Sequence, residues 1–144
     1  MSKETADYHD ADLVLRLYET RRESVMRDSR SVIAGKFWPK SYEDVQAFAK
    51  PEHPLNAAFR QISSYWEMVY GMVRHGIVNP DFFLESNGEG MFLFAKVHPF
   101  LEQIRRDTFP TAFGNVEWVA TETEKGRRMF AMFSARVKKM AESR

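Results

Sequence analysis

The chain contains no cysteine. Disulfides, thiolate nucleophiles and Cys-ligated metals are excluded, and stability must come from packing alone. Charge of one sign is missing too. Twenty-one basic against 20 acidic residues leave a formal net charge of +1, too little for an overall field that recruits nucleic acid or anionic lipid. No apolar run approaches the ~20 residues of a membrane span. The opening MSKETADYHDAD is polar and acidic, unlike a signal peptide, so the cytoplasm is the expected compartment. His9, His53, His75 and His98 are scattered, with neither an HExxH nor a Glu-x-x-His spacing, so no metal is expected. A Gly-Lys-Ser/Thr phosphate loop is absent, and no serine is marked as a nucleophile with its base; the expectation is no cofactor.

What is present is aromatic and helical in pattern. Aromatic residues make up 14% of 144 residues, and twelve are phenylalanine, enough for a large core in one domain. The densest signal lies at 55–76, LNAAFRQISSYWEMVYGMVRHG. Phe59, Ile62, Trp66, Val69 and Val73 alternate by three and four, and Ala58, Tyr65, Met68 and Met72 form a second stripe beside them. A helix apolar over so much of its circumference needs several covering neighbours. It ends at Gly76, a suitable left-handed residue past a helix, with Arg74 and His75 in the last turn.

The surrounding segments read as follows. Residues 1–9 form a disordered lead, and Asp10 or Asp12 caps a first helix running to about Ala34. Arg21 and Asp28 fall on that helix's apolar line, either at an edge, or partly buried as a pair or against partner helices. Ser41 opens a short helix to about Ala49. Asn79 caps, and Pro80 starts, a segment over 80–107 whose stripe Phe83, Asn87, Gly90, Phe94, Val97, Leu101 and Ile104 favours helix over a strand at 91–95. Pro99 should kink or split it. After a loop at 108–114, a last helix covers about 115–141. It is interrupted by TETEKGRR at 121–128, where it bends or projects beyond the body. The predicted fold is all-α: a single-domain bundle of four to five main helices over 10–144, with a central buried helix (55–76), a kinked helix (80–107) and a long C-terminal helix.

Candidate site residues flank the central helices. A pocket between them would be lined by Trp66, Tyr70 and Phe94, with Glu67, His75, Asn87 or Glu89 supplying polarity. If covered, the Glu67 carboxylate beside the Trp66 indole would be a candidate acid or base, but the expectation is that nothing polar, Glu67 and His75 in particular, survives inside the packing. Gly88-Glu89-Gly90 reads as close helix packing rather than a phosphate cradle. At the C-terminal end Lys125, Arg127, Arg128, Arg136, Lys138, Lys139 and Arg144 form a basic patch that could touch phosphates, although neutralising a helix terminus is the plainer role.

The strings LVLRLYETRRE (13–23), YWEMVYGMVRHG (65–76), NPDFFLESNGEG (79–90) and VHPFLEQIRR (97–106) resemble an uncharacterised bacterial helical family over about 12–120. The resemblance implies an all-helical domain and carries over no catalytic residue. The leading functional expectation is a non-enzymatic protein-interaction module, with self-association as one form of it. The alternatives are a small-molecule binder or enzyme with a pocket between the central helices, and a nucleic-acid contact through the basic end.

Overall fold

The first helix, α1 (Tyr8–Arg22), begins where Asp7 accepts hydrogen bonds from the backbone N–H groups of His9 and Asp10, at 3.0 and 3.3 Å. The computed structural model describes residues 2–144. Within the lead expected to be disordered, the Lys3 ammonium bridges Asp7 and Asp10 at 2.9 and 2.6 Å. The Lys3 carbonyl accepts from the Asn79 side chain at 2.9 Å. Asp10, expected as a cap, is instead buried and accepts from the Asn79 backbone N–H at 3.0 Å.

The single helix expected to about Ala34 is two. At Glu23 the backbone turns extended, and its carboxylate caps α2 (Ser24–Lys36) through the Met26 N–H at 3.1 Å. The break separates the fates of two charged residues read as one line. Arg21 is buried and donates to the Ser86 carbonyl at 3.1 Å, whereas Asp28 is exposed. The short helix α3 (Tyr42–Phe48) is capped by Ser41, as its sequence suggests.

The central helix is α4 (Asn56–Arg74). Ile62, Trp66, Val69 and Val73 of its main stripe are each 2% exposed or less. Such side chains contribute about 1.5–3 kcal/mol each on burial. The second stripe is less covered than expected: Tyr65 is buried, but Met68 is 57% exposed. The helix ends in a Schellman motif. Gly76 has φ 74°, and the N–H groups of Gly76 and Ile77 bond to the carbonyls of Val73 and Met72.

The expected kinked helix over 80–107 is divided more than once. Asn79 caps α5 (Pro80–Ser86), α6 (Glu89–Val97) follows, and a 3₁₀ turn (His98–Phe100) at Pro99 leads into α7 (Leu101–Asp107). The break at Asn87 has a tertiary cause. The Tyr70 hydroxyl donates to the Asn87 carbonyl at 2.6 Å and accepts from the Met91 N–H at 3.0 Å. A continuous helix would bond that carbonyl to that N–H directly. A side chain inserted into the ladder bends the chain there. Gly90 permits the approach, since a Cβ at that position would lie 2.7 Å from the Tyr70 ring and 2.9 Å from Trp66.

The last helix is likewise two, α8 (Gly114–Glu122) and α9 (Glu124–Glu142), joined at the extended Thr123. The Thr123 hydroxyl donates to the Val119 carbonyl and accepts from the Gly126 N–H, at 2.7 and 3.0 Å. α4 packs most extensively against α2 and α8 and less against α6, so the 80–107 segment is not its principal neighbour. α9 lies along α6 and α8. Its far end is tied back to the body, with the Arg144 guanidinium 4.2 Å from the centre of the Trp38 ring. Buried residues from Leu17 to Ala120 form one contiguous core, and every regular element among the described residues is helical. None of these helices is long and apolar enough to cross a membrane.

Candidate functional site

Where α2, α4, α6 and α9 meet, they leave a cavity of about 320 Å³. Ile33 and Ala34 contribute from α2, Ile62 and Trp66 from α4, Phe92 and Leu93 from α6, and Phe133 and Met140 from α9. The wall is apolar because each helix turns its core-facing stripe toward the junction. Four charged side chains interrupt it: Arg30, Glu89, Lys96 and Arg136.

Arg30 and Glu89 are tied to each other. The guanidinium makes a two-point ion pair with the carboxylate, Nε to Oε2 at 2.8 Å and Nη2 to Oε1 at 3.0 Å. Such forked pairing fixes both groups and joins α2 to α6.

Lys96 is the unusual group. It is 4% exposed, and its ammonium donates to the Ile33 carbonyl at 3.3 Å. The Trp38 ring centre lies 4.0 Å from Nζ and the Phe92 centre 5.3 Å away. Two ring faces and one carbonyl replace its water. Burial pushes its pKa down to about 8; the Arg144 cation adds to the shift, and Glu89 opposes it. Trp66 also lines this cavity, and its indole N–H, fully buried, has no hydrogen-bond partner among the described residues.

The structure distributes the sequence-derived candidates among different places. Trp66 and Glu89 line the cavity. Tyr70 and Asn87 are wholly buried and bonded to each other at the α5–α6 corner; burial holds the Tyr70 phenol well above its ordinary range. Phe94 is buried among Phe113, Phe130 and His98. His75 sits exposed at the end of α4. Glu67 faces elsewhere. Its carboxylate accepts from the backbone N–H groups of Asn115 and Val116 at 2.8 and 3.1 Å, capping α8 from another helix. Glu67 is thus only part-buried, at the edge of the packing, whereas the wholly buried Asn87 is a polar side chain that does survive inside it, against the expectation. Phe113, the residue before α8, has φ 58° and supplies no side-chain cap, which leaves those N–H groups for Glu67. Glu67 also borders a second, open cleft of about 550 Å³ with Arg74, Arg105 and Trp118.

The basic residues of α9 are spread around it. Lys125 donates to the Asp81 carbonyl, Arg127 to the Thr121 carbonyl, and Arg128 pairs with Glu124. Lys138 and Lys139 are exposed, and Arg136 reaches the cavity.

Sequence reasoning singled out neither Lys96 nor Arg30. One signal was available: Lys96 is the lone charge inside MFLFAKV, a run otherwise apolar throughout. A lysine there must either escape the core or be held in it.

A helical core with a mixed apolar and charged cavity describes a class of domain, and a family match narrows it. The family model described as domain of unknown function (DUF4760) matches residues 6–123, and the chain belongs to that family. Comparison with curated proteins and with solved structures gives no match. The family span takes in α1 to α8, with Arg30, Trp66, Glu89 and Lys96, and stops before α9, which supplies Phe133, Arg136 and Met140 to the cavity.

Proposed function

We propose that this domain binds a small molecule in the cavity between α2, α4, α6 and α9 without transforming it. One observation carries the reading: the buried Lys96 side chain lines a concave, mostly apolar wall on which Arg30 and Glu89 neutralise each other. A few polar groups converging on an apolar hollow is the usual make-up of a ligand site, and 320 Å³ lies at the lower end of the about 300–1,000 Å³ such sites occupy. Glu89, the carboxylate on that wall, is held by Arg30, which supports binding over acid–base chemistry. The test is a titration with 8-anilinonaphthalene-1-sulfonate under native conditions. Saturable one-site binding is expected, and Ala34→Phe, which fills the cavity from an exposed position, should abolish it. Non-saturable binding, or binding indifferent to that variant, would refute the proposal.

The protein-interaction reading keeps one specific support. Tyr8, Leu15 and Tyr18 share a face of α1 at spacings of seven and three, and are 82%, 62% and 48% exposed. That face suits a second copy of the chain. Light scattering at tens of micromolar should then show a dimer that Leu15→Glu dissociates, and a clean monomer would remove the reading.

A further inference from the structure

The cavity's charges specify more than a hollow. Arg30 and Glu89 cancel one another in their two-point pair, which leaves Lys96 and Arg136 as cations without a carboxylate partner among the described residues. Arg136 lies near the Phe133 ring, its guanidinium carbon 5.7 Å from the ring centre, and is exposed at the rim. Lys96 makes one hydrogen bond, to the Ile33 carbonyl, out of the three its ammonium can donate. The two charged groups on this wall without a carboxylate partner are therefore both cationic donors. The rest of the wall is apolar side chain, apart from the Arg30–Glu89 pair.

We infer that the ligand is a monoanionic amphiphile, a carboxylate carrying an apolar tail of medium length. Its headgroup lies between Lys96 and Arg136, and its tail runs along Ile33, Ile62, Leu93 and Met140. A liquid volume of about 30 Å³ per water-sized group limits the occupant to roughly ten heavy atoms. A straight chain of that length fits; a steroid or a nucleotide does not. A cation would meet Lys96 and Arg136 unshielded, and a neutral alcohol would leave the ammonium unneutralised in its apolar setting.

The inference rests on the cavity being a ligand site, and the experiment separates the two ideas. Octanoate, 1-octanol and octylammonium, each below its aggregation concentration, are titrated into the intact chain by calorimetry, with Trp fluorescence as a second readout. Octanoate is expected to bind with 1:1 stoichiometry and at least about tenfold more tightly than octanol, the low end of what a charge-assisted hydrogen bond contributes. Octylammonium should not bind. Lys96→Met should erase the preference for octanoate while octanol binding persists. Arg136→Gln, at an exposed position that leaves the core intact, should reduce that preference about threefold. Octanol binding as tightly as octanoate would overturn the anion while leaving the ligand site standing. Binding of none of the three would overturn both.

Discussion

Replacing Lys96 by methionine keeps the length of the side chain and removes its charge. In the unfolded chain this lysine holds its proton to about pH 10.5; in the folded one, to about 8. Between these values the unfolded state binds the extra proton, so wild-type stability rises with pH across that window. Below pH 8 the full cost of burying the cation is present. At about 1.4 kcal/mol per pH unit, the interval of roughly 2.5 units corresponds to about 3 kcal/mol. That figure is already net of the ammonium's contacts with the Ile33 carbonyl and the Trp38 face, but methionine also forgoes the hydrogen bond any amine makes there, which offsets about 1 kcal/mol. Lys96→Met should therefore stabilise the fold by about 1–2 kcal/mol at pH 7. Urea denaturation of both proteins from pH 7 to 10.5 measures the difference, and subtraction cancels the titration of other lysines. The advantage should shrink as pH rises above 8. A variant destabilised by more than about 1 kcal/mol at pH 7, or a difference flat with pH, would refute the account of Lys96 as a strained cation.

Tyr70→Phe removes the hydroxyl that satisfies the buried Asn87 carbonyl, and should cost about 1–3 kcal/mol in denaturation midpoint. Gly126→Ala places a Cβ 2.0 Å from the Val119 carbonyl oxygen, so it should destabilise by about 2 kcal/mol; at an unconstrained helix position the same change would stabilise, and a raised melting temperature would contradict the packing. Glu67→Ala uncaps α8 and should cost about 1–3 kcal/mol, with hydrogen exchange accelerating first at the amides of Asn115 and Val116. Protection unchanged at those two amides would show that another group caps the helix.

Features set by neighbours along the chain could be read before the fold was known. Ser41 and Asn79 as caps, Pro80 as a first residue and Gly76 past the end of α4 all depend on local rules. Family membership agrees with the resemblance seen in four separate strings. The joints were less legible. Glu23 ends α1 because its own carboxylate starts α2, while the helical spacing of the sequence runs on past it without a Gly or Pro to mark the joint. Asn87 ends α5 because Tyr70, 17 residues earlier, takes its carbonyl. Glu67 reads as a surface acid until α8, 48 residues on, brings its N-terminus alongside. The site divides in the same way. Trp66 and Glu89 could be singled out on the central helices, but Lys96 and Arg136 converge only when α6 meets α9.

The corner between α5 and α6 has a consequence for how the chain assembles. Its bend is specified by a phenol on α4, while the local pattern across 80–97 favours one continuous helix. Until α4 docks, the Tyr70 hydroxyl is not at hand to take the Asn87 carbonyl, so the corner's hydrogen bonds cannot form. The corner is therefore expected to form with or after the docking of α4. Loss of that hydroxyl should then speed unfolding and leave the folding rate nearly unchanged.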